Sequence, residues 1–265
     1  MNRLAIRIDG MGFWAPGWPH WPSARAGLRG EMQADPAVLK PCPALLGAAE
    51  RRRAPLPVLL ACEIAAQACA QSAYAADSLA SVFASTHGDL VITDYMCSTL
   101  ASAPHELSPI RFHNSVHNAP AGYWTIAAHS HAASTSTSSW HWSFALALFE
   151  AAVQAHAEGS PVLLAAYDTE SPGPLSEIAP AAVNFGVAMV VSAALDGAAS
   201  LRLEFNSPIQ ASAALALPDA FAELARSNPI AAQSLPLLAA LAVARPHTLQ
   251  LPAGSSSTLG IEVCA

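Results

Sequence analysis

Two arrangements between Ser108 and Phe144 could do chemistry, because this stretch gathers histidines, hydroxyls and aromatics more densely than the rest of the chain. The first is nucleophilic. Ser138, Ser139 and Ser143 stand close to His141 in the run STSTSSWHWSF, and His117 lies upstream; a serine hydroxyl beside an imidazole base is the pairing used in acyl transfer. No G-x-S-x-G elbow frames these serines, and hydroxyls near the start of a helix at Trp142 have a competing use as caps. The second is metal ligation. His113 and His117 are four residues apart, a spacing that puts both on one face of a helix. Their neighbours are Asn114 and Asn118 rather than acids, which favours hydrogen-bonded structural histidines, and neither a metal nor another cofactor is expected.

Such groups need a frame, and the composition can supply one. With 265 residues, 53% hydrophobic and 12% charged, the chain can bury a sizeable core. No run reaches the roughly 20 apolar residues of a membrane span, since Glu63, Gln67 and Glu150 interrupt the best candidates. The first residues alternate charged and apolar side chains and lack an apolar signal region, so the expectation is a cytoplasmic protein. Five cysteines at 42, 62, 69, 97 and 264 form no C-x-x-C pair and are read as buried free thiols, Cys62 and Cys69 sharing a helical stripe. Eight of the twelve basic residues fall within the first 53, ending in Arg51, Arg52 and Arg53, while the rest of the chain is strongly acidic. An overall charge of −7 argues against nucleic acid as a partner; the basic portion suits either solvent or a compact acidic protein.

Strands and helices alternate along the pattern. Leu4, Ile6 and Ile8 at period two predict a half-buried strand, followed by a turn-rich stretch from Gly10 to Pro22 in which Trp14, Trp18 and Trp21 pin a loop to the body. Pro36, Pro41 and Pro43 forbid a long helix between Asp35 and Leu46. Pro55 to Ala75 reads as a buried helix, Ser81 to Thr86 as a strand closed by His87, Gly88 and Asp89, and Ile92 to Ala103 as a helix. His131 to Thr137, Trp142 to Glu158 and Pro161 to Tyr167 repeat strand, helix and strand, which predicts parallel βαβ units in an α/β layer fold. Beyond a loop from Thr169 to Pro180, Phe185 to Ser192 and Ser200 to Phe205 read as a hairpin around Asp196 and Gly197. Helices near Pro218 to Arg226 and Ala231 to Ala244 and strands at His247 to Leu251 and Thr258 to Val263 complete the chain.

Within that outline the run from Phe112 to Gly122, FHNSVHNAPAG, resembles the N-terminal half of β-ketoacyl synthases, which have the thiolase fold. Leu107 to Pro109 before it, Arg51 to Arg53 ahead of the buried helix, Ser85 to Gly88 after a strand, Tyr167 and Asp168 at a strand end, and Asn184 to Gly186 agree. The similarity is greatest to the short subgroup of aryl polyene and polyketide pathways described as chain-length factors. It implies a thiolase-like layered α/β fold, with a ketosynthase-like N-terminal domain over residues 1–205 and a shortened C-terminal portion, 206–265, packed on the same domain.

The resemblance also identifies what is missing. An active ketosynthase carries a cysteine between its third strand and the following helix, where the helix N-terminus lowers the thiol pKa. Here that position falls within Ser139, Trp140, His141 and Trp142, and no cysteine stands between Cys97 and Cys264. Of the histidine partners expected from the C-terminal half, the last fifth holds only His247, without the family's surrounding motifs. The family pattern therefore implies a non-catalytic subunit that forms a heterodimer with an active ketosynthase and works with an acyl carrier protein. Phe112, His113, Ser115, Val116, His117, Tyr123, Trp140 and Trp142 are then expected at the acyl tunnel and interface. A serine-dependent acyl hydrolase or transferase on the same frame, and a homodimeric relative with no acyl role, are the alternatives.

Overall fold

The computed structural model describes residues 3–207 and 211–264. In chain order its elements are β1 (Leu4–Trp14), α1 (Trp21–Leu28), α2 (Ala48–Arg53), α3 (Leu56–Gln71), β2 (Ala80–Ala84), α4 (Leu90–Ser102), α5 (Pro109–Asn114) and α6 (Ala119–Ala127). There follow β3 (Ser134–Thr137), α7 (Ser143–Glu158), β4 (Val162–Asp168), α8 (Leu175–Ile178), β5 (Phe185–Ala193), β6 (Leu201–Phe205), α9 (Asp219–Ser227), α10 (Pro229–Val243), β7 (His247–Pro252) and β8 (Thr258–Val263). All eight strands form one sheet in the order β3-β2-β4-β5-β1-β6-β8-β7.

Alternation along the central strands separates two cores. On β4, Val162, Leu164 and Ala166 face α1, α7, α9 and α10, while Leu163, Ala165 and Tyr167 face α3 and α6. Side chains on a pleated strand point alternately to opposite faces, so a strand buried on both sides is apolar along its length, as β4 is from Val162 to Tyr167. The result is helices on both faces of a mixed sheet.

Three readings of the sequence change here. Only β2 runs parallel to its neighbours β3 and β4; β5, β1, β6, β8 and β7 are joined antiparallel, so the sheet is mixed rather than parallel. β5 and β6 are not a hairpin, because β1 lies between them and pairs with both. The stretch after Ile8 is not a loop either: β1 continues to Trp14 and α1 begins at Trp21.

The glycines that suggested a turn serve a different purpose. A Cβ on Gly10 would lie 2.1 Å from the Ala68 carbonyl oxygen, and one on Gly12 would lie 1.9 Å from that of Ile64. Their bare backbone lets α3 rest directly on β1. The segment 35–46 carries no helix, as its prolines require. Cys62 and Cys69 are buried on α3, but Cys42 and Cys97 are exposed: Cys42 sits between two prolines in that irregular segment, and α4 buries only Ile92.

Candidate functional site

The carboxyl ends of the parallel strands β2, β3 and β4 open onto one region, the place where α/β sheets bind ligands. At its floor Asp168 ends β4, almost fully buried. Its carboxylate accepts from the Ser85 hydroxyl (2.8 Å), the Thr86 amide (2.8 Å) and the Thr86 hydroxyl (2.5 Å). Burial pushes the Asp168 carboxyl up to about 6, against the pull of these donors and of His117. Asn228 closes the floor from behind, donating to the Asp168 and Val183 carbonyls while its own oxygen caps α10 at Ile230 and Ala231. Ser85 also accepts from the Gly88 amide, and its carbonyl meets His117 Nε2 at 3.1 Å. The loop after β2 is thus held by partners 30 to 80 residues away in sequence.

Above this floor lies the turn from β3 to α7. Trp140 adopts the left-handed conformation, φ 54°, and remains 48% exposed. A bulky side chain there carries roughly 1–2 kcal/mol of strain. Its ring stands edge-on to His87 at 4.8 Å and to His141 at 5.2 Å. His87 is held below its ordinary pKa by burial first, then by His141 and His117.

The serines do not cap α7 as expected. Ser138 donates to the Thr86 carbonyl, and Ser143 donates to the Trp140 carbonyl while accepting from the Ser139 amide, so both tie down the turn. The first amides of α7, at Phe144 and Ala145, are instead satisfied by Gln233 Oε1 from α10. Among the described residues no hydrogen bond joins Ser138, Ser139 or Ser143 to an imidazole, so the serine–histidine pair of an acyl hydrolase is not formed. His113 and His117 do not share a helix face: α5 stops at Asn114, His113 turns to the Asn114 side chain and His117 to Ser85. Among the described residues no three His, Cys, Asp or Glu side chains gather to hold a metal ion. Cys62 and Cys69 are no substitute nucleophiles, since burial pushes both thiols up to about 12.

The remaining predicted residues do not share one place. Phe112, His113, Val116 and Tyr123 line a groove of about 640 Å³ with Glu50, Asn118, Ala119, Gly122 and Ile126. His117 borders a smaller crevice beside Gly88, Asp89 and Tyr167. Ser115 bonds back to the Phe112 carbonyl and lines neither. Trp140 and Trp142 stand apart from the groove, at the turn.

The surface around the groove is unusually apolar. Val91 and Leu100 on α4, Ile110 and Phe112 on α5, Val116, and Ile126 on α6 are each more than half exposed. Phe112, Val116 and Ile126 meet in the groove, and apolar exposure of this kind marks an interaction surface. It runs on to β3, which with α6 forms a further groove lined by Gly122, Thr125, Ser134 and Ser136. β3 is the outermost strand, and among the described residues it pairs only with β2, its other edge unpaired. Sequence reasoning missed Gln233 and Asn228 and gave His87 only a turn, because their roles come from contacts between distant elements.

The family model described as the beta-ketoacyl synthase N-terminal domain matches residues 18–252. A search of the curated proteins gives no match. Among solved structures, the chain is similar to one in the complex of the ketosynthase ApeO with its chain length factor ApeC from Xenorhabdus doucetiae, at TM-score 0.72 and 24% identity over 98% of this chain and 99% of that one. It is similar also to a chain of the ishigamide ketosynthase/chain length factor, at TM-score 0.69 and 17% identity over 98% and 99%. A third match is to a chain of AntDE:AntF, a type II PKS acyl-carrier protein in complex with its ketosynthase bound to the hexaketide, at TM-score 0.69 and 12% identity over the full length of both. At these identities the likeness is one of fold, and no described helix is long and apolar enough to cross a membrane.

Proposed function

Because the chain belongs to the β-ketoacyl synthase N-terminal domain family, matched over residues 18–252, we propose that it is a non-catalytic chain-length factor that pairs with an active ketosynthase. The observation that carries this reading is the turn at Trp140. A left-handed residue stands there between a strand and the helix that follows, within the stretch Ser139 to Trp142 where the resemblance puts a ketosynthase's cysteine, and it presents an indole. A thiolate is required for acyl transfer by this chemistry, and no cysteine lies between Cys97 and Cys264.

The free edge of β3 and the apolar face of α4, α5 and α6 are the surface we assign to the partner. A strand edge satisfies its unpaired amides and carbonyls by joining a second sheet. Trp140 and Trp142, beside that edge, would close the far end of the partner's acyl tunnel and limit chain growth. Phe112, His113, Val116 and Tyr123 would line the interface through the groove between α5 and α6. An acyl carrier protein delivers chains to the pair. Residues 1–205 supply these features, with 206–265 as the shortened C-terminal portion.

The test is co-production with an active β-ketoacyl synthase that carries its cysteine. We expect a heterodimer on size-exclusion chromatography and longer acyl products when Trp140 or Trp142 becomes alanine. A homodimer that ignores added ketosynthase, or unchanged product length in both variants of an intact heterodimer, would overturn it.

A further inference from the structure

At the other end of the sheet is a cleft that the partner-subunit reading does not use. β6 pairs with β1 only from Leu4 to Ile6, so the edge of β1 beyond Ile8 has no strand beside it. Two side chains take over part of that edge: the Ile8 amide donates to Ser200 Oγ, and the Phe13 amide to Gln67 Oε1. Between them, α1, the end of α10 and the end of β8 leave a cleft of about 500 Å³. Its walls combine apolar side chains, Trp21, Leu241 and Val263 among them, with the polar Asp9, Arg25, Gln71 and Ser200.

The polar groups in this cleft are unequally satisfied. Asp9 is already engaged, by Arg7 Nε at 2.5 Å and the Ser192 hydroxyl at 2.6 Å. Arg25 is not: its Nε is buried with no hydrogen-bond acceptor. That Nε is enclosed, but Arg25 lines the cleft, and among the described residues its other guanidinium nitrogens have no partner, so they are available to a carboxylate. Ser200 Oγ accepts from the Ile8 amide, which leaves its hydroxyl hydrogen to donate.

We propose that this cleft binds a small monocarboxylate with a short apolar body, its carboxylate held by Arg25 and Ser200 and its hydrocarbon against Trp21 and Leu241. One planar guanidinium matches one carboxylate. A single cation beside a few apolar side chains suits that class better than a phosphate, which draws on several donors at once. The site is separate from the β3 edge and stands or falls independently of the partner.

Isothermal titration of the chain with sodium hexanoate tests it, with 1-hexanol as the neutral comparator. We expect saturable binding of hexanoate, at least tenfold weaker in Arg25→Gln, lost in Leu241→Trp and unchanged in Arg53→Gln, with no matching heat from hexanol. Should Arg25→Gln fail to give a cooperative melt, Leu241→Trp decides, since it fills the cleft and leaves the guanidinium in place. Absence of saturation with the wild type, equal binding of hexanol, or full affinity in either cleft variant would overturn the proposal.

Discussion

Gly122 offers the sharpest test of the surface assigned to the partner. It sits within the nine-residue α6, exposed, and a Cβ built on it meets no atom within 4 Å. Glycine inside a helix costs about 1 kcal/mol relative to alanine, so Gly122→Ala should stabilise the isolated chain by about that much. For a chain of this size that is a rise in melting temperature of about 2–4 °C. Gly122→Trp also has room in the isolated chain, and should fold with a melting temperature near that of the wild type. In the pair with a ketosynthase the two variants should part company. Gly122 borders both the groove beside Phe112 and the one beside Ser134, so an indole there overfills the contact. Overpacking costs about 1–3 kcal/mol, a loss of roughly 5- to 200-fold in affinity. Thermal melts of the free chain and native mass spectrometry of the titrated pair measure the two effects. A Gly122→Trp chain that binds ketosynthase as tightly as the wild type would refute the placement of the interface, and a Gly122→Ala chain that melts lower would refute the account of α6.

Three further outcomes are expected. Gly12→Ala should cost more than about 3 kcal/mol, because the 1.9 Å approach to the Ile64 oxygen forces α3 off β1; differential scanning calorimetry should show a fall of about 10 °C, and a fall under 3 °C contradicts the packing. Asp168 holds its proton more tightly folded, at about 6, than at its ordinary 3.8, so the stability from the protonated acid is complete below pH 3.8 and lost as pH rises through 6. That is a contribution of about 3 kcal/mol, and urea titrations from pH 4 to 8 should show Asp168→Asn with a correspondingly smaller decline than the wild type; parallel profiles would count against it. Gln233→Ala leaves the Phe144 and Ala145 amides without their acceptor, which should cost about 1–2 kcal/mol in urea and speed hydrogen exchange at those two positions; unchanged exchange would show the cap to be idle.

What could be read along the chain was what neighbouring residues determine. The buried helix α3, the apolar strand β4 and the stop at Gly159, which is left-handed at the end of α7, follow from periodicity and from glycine's freedom at positive φ. The place of β1 in the sheet did not follow, because its insertion between β5 and β6 depends on pairing across some 190 residues. Gly10 and Gly12 look like turn residues until α3 is laid on them. The site behaved the same way. The run FHNSVHNAPAG marked the region, yet the shared frame of Asp168, Ser85, Thr86 and Asn228 exists only once β2, β4 and α10 converge. Spacing alone placed His113 and His117 on one helix face, and a helix that ends at Asn114 separates them.

β3 has a consequence for supply. Its four residues are all serine or threonine, and no charge, proline or bulge blunts its open edge. Such an edge accepts any extended backbone, including that of an identical chain or of an unfolded neighbour. On the reading proposed above, each copy stays safe only while a ketosynthase occupies it, so the tolerable amount of this chain in a cell is set by the amount of its mate. Balanced synthesis of the two then becomes a requirement of solubility, separate from any need of the product they make.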